Sequence, residues 1–205
     1  MTFCIKPEDN IQTLCLPKHI LVAFIIISCC LFFVNLISAA EDPKLKSIIS
    51  SADNYFSQQL YIPAIEKYNQ VLKIDPKNAY AHYRVGIAYQ ALEDQEKAKA
   101  AYLEALKIDP NMSKALNNLA AIYLYNNELE EALKLAKKAI DANPGLPFSY
   151  GTCGAIYEKM GKYDLALEMF QKMAADQTYG KEARDSLERI QKIKENKGEK
   201  NVNNS

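Results

Sequence analysis

A step of 34 residues runs through this chain and constrains its fold more than any other feature. Pro76, Pro110 and Pro144 are 34 residues apart each time. The same step links Tyr55, Tyr89, Tyr123 and Tyr157, and again Ala64, Ala98, Ala132 and Ala166. Small residues repeat in register at Ala52, Gly86, Ala120 and Gly154. Two further columns hold Tyr68, Tyr102, Ala136 and Phe170, then Val71, Ala105, Ala139 and Met173. A fixed period of this size marks a repeat protein, whose units cannot bury an apolar face alone and must stack on their neighbours.

Within one period, apolar positions recur at helical spacing twice, on either side of a short polar turn. Val85, Gly86 and Tyr89 mark one face of a first helix; Ala98, Tyr102 and Ala105 mark the facing stripe of a second. Gly86 and Ala98 let the two backbones approach, and the tyrosine fills the space beside them. Pro76 and Pro110 follow Ile-Asp, just after a lysine that suits a helix carboxyl end, and each helix pair ends at its proline because proline cannot continue the hydrogen-bond ladder. Glu93-Asp94, Asn127-Glu128 and Gly161-Lys162 are turns short enough to force the second helix back antiparallel.

These columns resemble the tetratricopeptide repeat, with its pattern W-x2-L-G-x2-Y, then A-x3-F, then P. Four copies fit, at 45–78, 79–112, 113–146 and 147–180. The second fits best, with Val85, Gly86, Tyr89, Ala98, Tyr102 and Pro110 at motif positions. The tryptophan position holds Ile48, His82, Leu116 and Tyr150; Ser51 replaces the leucine of copy one and Thr178 the proline of copy four. Terminal copies depart most because one of their faces meets solvent. The expected fold is all-α: a solenoid of four helix-turn-helix repeats, then a capping helix over 181–195 carrying Ala183, Leu187, Ile190 and Ile193. Residues 196–205, rich in Asn, Lys and Gly, are expected to be a disordered tail.

The repeats are preceded by residues 20–40, which carry no charge. Two readings fit. Ser38-Ala39-Ala40 offers the small residues of a signal-peptide cleavage site before Glu41. Alternatively the stretch is an uncleaved anchor, since 21 residues at about 1.5 Å each reach roughly the 30 Å of a hydrocarbon core. Lys18 and His19 before it, with Glu41 and Asp42 after it, put residues 1–19 in the cytoplasm and the repeats across the membrane. Ile26-Ile27-Ser28-Cys29 also resembles a lipidation site at Cys29, although the apolar run continues through Phe32, Phe33 and Leu36. Four of the five cysteines lie before residue 31, so Cys153 alone can form no internal disulfide within the repeats.

Charge and residue chemistry point to binding rather than catalysis. Twenty-five basic residues balance 25 acidic ones, which leaves no basic surface for gripping nucleic-acid phosphates. Only His19 and His82 are available as imidazole proton carriers. His82 is expected to pack half-buried between helices, and Cys153 to act as a small buried hydrophobe. No phosphate loop and no metal-ligand spacing occurs, so no catalytic residue, cofactor or metal is expected.

The resemblance implies that the first helices line a concave groove for a protein or peptide partner. Counting along those helices, the groove would be lined by Asp53, Phe56, Tyr80, Tyr83, Ile87, Lys114, Asn117, Asn118, Ala121, Tyr125, Phe148, Thr152 and Ala155. Some of these could instead pack between repeats. The carboxylate clamp of chaperone adaptors in this family is incomplete. Lys114 and Asn118 fit it, but Ile49, Asp53, Tyr83 and Thr152 stand at its other positions. The expected function is a non-catalytic scaffold, tethered or exported, docking a partner protein in envelope assembly; a homo-oligomer is the rival.

Overall fold

The computed structural model describes residues 42–202. The chain divides into two compact units, Met1–Lys46 and Ser47–Ser205, and the 34-residue columns all fall in the second. Among the described residues there are nine helices and no strand. Four helical hairpins follow one another: α1 (Pro43–Ser57) with α2 (Tyr61–Ile74), α3 (Ala79–Ala91) with α4 (Gln95–Ile108), α5 (Ser113–Tyr125) with α6 (Leu129–Ala142), and α7 (Pro147–Lys159) with α8 (Tyr163–Ala174). A ninth helix, α9 (Gly180–Val202), packs on α8. Each second helix also packs on the next first helix, so the hairpins form the helical solenoid that the period implies.

The repeated columns are the core. Ala52, Ala64, Tyr68, Val71, Ala98, Tyr102, Ala105, Ala120, Ala132, Ala136, Ala139 and Ala166 are all buried. Close approach is enforced at Gly86, where a Cβ would stand 2.5 Å from the Tyr102 ring, and at Gly154, where one would meet Phe170 at 3.0 Å. Helix-to-helix spacing is therefore set by the absence of one carbon atom, not by propensity.

The turns repeat as faithfully as the core. Gln59, Glu93, Asn127 and Gly161 each adopt a left-handed backbone conformation, with φ of 61°, 62°, 64° and 73°. The next amide in each case reaches back to a tyrosine carbonyl: Leu60 to Tyr55, Asp94 to Tyr89, Glu128 to Tyr123 and Lys162 to Tyr157, at 2.9–3.0 Å. That closes the carbonyl end of each first helix and reverses the chain. At the junctions between hairpins, Asp75, Asp109 and Asn143 accept from the amides of Lys77, Asn111 and Gly145 at 3.2, 3.1 and 3.0 Å. The prolines sit inside these side-chain-closed turns.

The last helix differs from expectation at its end. It buries Ala183, Ser186 and Ile190, but it continues to Val202, past residue 195 and through most of the segment expected to be disordered. Lys and Glu are strong helix formers, and they recur through that segment. Among the described residues no helix is long and apolar enough to cross a membrane. The segment 20–40 and Cys29 lie outside the described residues.

Candidate functional site

First helices line the inner face, because α5 and α7 touch each other directly while α6 and α8 share no comparable contact. The face has three parts, each with its own chemistry.

At the α1–α3 end stands a polar and aromatic cluster. The Tyr80 hydroxyl donates to Asp53 Oδ1 at 2.8 Å, the Tyr68 hydroxyl donates to the same oxygen, and Arg84 Nη2 lies 3.1 Å from it. Arg84 Nε also donates to the Tyr68 hydroxyl at 2.8 Å, and its guanidinium lies 3.7 Å from the centre of the Phe56 ring. Burial, then the hydrogen bond to Asp53, pushes the Tyr68 hydroxyl well above the ordinary phenol range; Tyr80 is raised for the same reasons. Phe56 of α1 and Tyr80 of α3 both meet Arg84, which counting along the helix missed. The signal was available: 34 residues before Asn118 falls Arg84.

The middle is more closed than the sequence suggests. Tyr83 is half-buried, with its ring 6.0 Å from that of Tyr102. Tyr102 donates to Gln90 Oε1 at 2.7 Å and accepts from Asn118 Nδ2 at 3.1 Å. Asn118 is therefore spent on the scaffold. Asn117 departs further from expectation: it is only 6 % exposed, and its buried Oδ1 has no hydrogen-bond partner. Adjacent helical positions point about 100° apart, and the side of Asn117 is covered by packing between repeats. Ile87 is half-buried against the Tyr102 cluster, and Lys114 is exposed at the start of α5.

The α5–α7 end is open. A cleft of about 680 Å³ is lined by Ala121, Leu124, Tyr125, Ala155, Glu158 and Lys159. Tyr125 is 74 % exposed, more than any other large apolar residue described. Glu158 is held by Arg189 of α9, whose Nε and Nη2 donate to its two oxygens at 3.0 and 2.7 Å. Lys159 donates to the Leu124 carbonyl at 3.3 Å, covering the free carbonyl end of α5. Phe148 and Thr152 lie nearer the start of α7: the Phe148 ring is 6.4 Å from Tyr179, and Thr152 bonds back to the Phe148 carbonyl at 3.1 Å. Sequence counting found Ala121, Tyr125 and Ala155 but missed Leu124, Glu158 and Lys159. The last is Tyr125 advanced by one period.

The remaining reactive groups sit in structural settings. His82 Nε2 lies 3.2 Å from the Pro76 carbonyl, tying α3 to the turn before it. Cys153 is 1 % exposed, and burial pushes its thiol up to about 11. Among the described residues no three His, Cys, Asp or Glu side chains stand close enough to hold a metal.

Sequence comparison matches the profile of the TPR repeat to residues 52–93, and tetratricopeptide repeat profiles to 79–112, 101–134 and 149–185. No curated protein sequence matches the chain significantly. Solved structures give many fold matches. PilF of Pseudomonas aeruginosa is 20 % identical, with a TM-score of 0.67 over 74 % of this chain and 69 % of that one. PilW, a widely conserved type IV pilus biogenesis factor, is 25 % identical, with a TM-score of 0.66 over 74 % of this chain and 70 % of that one. The first TPR of Spaghetti (RPAP3), bound to the HSP90 peptide SRMEEVD, is 21 % identical, with a TM-score of 0.55 over 59 % of this chain and 96 % of that one.

Proposed function

We propose that this chain, which belongs to the tetratricopeptide repeat family, is a non-catalytic scaffold that docks a segment of a partner protein along the inner face of its first helices. The observation that carries this reading is the α5–α7 cleft, where Tyr125 is 74 % exposed beside Leu124, Ala121 and Ala155. A tyrosine held on a rigid helix offers large apolar area with little rotamer entropy to lose, which is what interface hot spots share. The complex of Spaghetti (RPAP3) with a peptide supports the same use of a fold of this kind.

We place this scaffold on the non-cytoplasmic side of a membrane, held by residues 20–40 or released after cleavage near Ala40. The uncharged run and its flanking charges support this. Likeness to PilW, a pilus biogenesis factor, supports a role in assembling an envelope complex.

Two experiments test the two parts. Replacing Tyr125 and Lys159 by alanine should weaken capture of the partner by about 2 kcal/mol or more in total, while Lys134→Ala with Lys138→Ala on the second-helix face leaves it unchanged. The reverse pattern would move the docking surface to the outer face. For location, fractionation with an alkaline wash should leave full-length protein in the membrane pellet, or yield a fragment starting at Glu41. Full-length protein in the soluble cytosol would overturn the membrane assignment.

A further inference from the structure

We infer that the α1–α3 end of the inner face is a built carboxylate site which Asp53 keeps filled from within, so that acidic groups of a partner are excluded there. The exclusion of a partner's groups rests on the inner face being the docking surface; the site itself does not.

Three donors from two helices converge on one carboxylate oxygen carried by a third. Tyr68 comes from α2, Tyr80 and Arg84 from α3, and Asp53 from α1. Two hydroxyls and a guanidinium aimed at a single point make an anion site, because charge-assisted hydrogen bonds to a carboxylate are the strongest such bonds a protein makes. The donors are fixed independently of Asp53. Arg84 Nε is bonded to the Tyr68 hydroxyl at 2.8 Å, and its guanidinium lies 3.7 Å over the Phe56 ring. The Tyr68 and Tyr80 rings meet edge-on at 6.4 Å. Removing the Asp53 carboxylate therefore leaves the cavity for an anion standing, with a guanidinium whose side chain is 19 % exposed and lacks its counter-charge.

The site is also reachable. The Asp53 side chain is 37 % exposed and Tyr80 is 42 % exposed, so a small carboxylate can enter from the inner face once Asp53 is shortened. In the native chain, an incoming carboxylate would have to expel an aspartate held at high effective concentration by its own helix. It would also meet the charge of that aspartate at close range. A partner's glutamate or carboxyl terminus is thus turned away from this end, whereas apolar and amide groups are not.

The test uses the full-length chain in detergent and small carboxylates as probes. Asp53→Ala should melt at a lower temperature than the native chain, and about 200 mM formate should return at least half of the loss by binding the folded state alone. Chloride at the same ionic strength should return little. The native chain should show no formate-specific shift. In saturation-transfer NMR, formate and N-acetylglutamate should bind Asp53→Ala and not the native chain. Should Asp53→Ala fail to fold in chloride, folding in formate supports the site, and failure in both salts overturns it. A folded Asp53→Ala that ignores formate overturns it as well. None of these readings needs the partner, so the carboxylate site can fail while the docking face stands, and the reverse.

Discussion

At Gly86 the fold depends on a missing atom. A Cβ there would stand 2.5 Å from the Tyr102 ring, and that ring is fully buried with its hydroxyl tied to Gln90 and Asn118. Gly86→Leu should therefore cost about 1–3 kcal/mol through overpacking and lower the thermal midpoint followed by circular dichroism. An unchanged midpoint would mean that Tyr102 does not fill this space. Cys153 gives a pH-dependent prediction. Its thiol is raised by burial from 9.0 to about 11, so the unfolded chain loses this proton first. Its contribution to stability is whole below about pH 9 and is lost as pH climbs towards 11. Urea midpoints taken at about pH 8 and about pH 10.5 should fall further for the native chain than for Cys153→Ala. Equal losses would mean that the thiol is not shielded from water. Single residues were also where the sequence misled. Asn117 and Asn118 read alike as groove donors, yet one is buried and the other bonds Tyr102, because packing between repeats has no counterpart in a helical count.

Among elements, the turns between paired helices carry the clearest departure from backbone preference. Four residues one period apart are left-handed, and only the fourth, Gly161, is a glycine. Gln59 and Glu93 pay a steric cost there of about 1 kcal/mol each. Gln59→Gly and Glu93→Gly should each raise the stability of the chain by roughly that amount in denaturant unfolding. No gain, or a loss, would mean that those side chains contribute contacts outweighing the strain. Helix placement was legible because the columns of tyrosine, alanine and proline mark where each helix begins, packs and stops. The end of α9 was not, since Lys and Glu sustain a helix whose sequence has no apolar stripe to announce it. Asp53 comes from α1 and its three donors from α2 and α3, so their meeting point exists only once two repeats are stacked.

Across the whole solenoid, the period explains both what the sequence revealed and what it hid. Every column that repeats in all four copies is core or turn, and each is legible in the sequence. The inner face is where copies differ. Arg84 stands one period before Asn118, and Lys159 one period after Tyr125, so the chemistry of this face is set by residues outside the motif. The face that results is closed at one end by Asp53 and Arg84 and open at the other around Tyr125. The most direct measurement of this account places a photo-crosslinking amino acid at Tyr125, or at Lys138 on the second-helix face, in the full-length protein in its native cells. Irradiation should join a discrete partner to the chain from position 125 and not from position 138. A partner captured from position 138 alone would contradict the inner face as the docking surface.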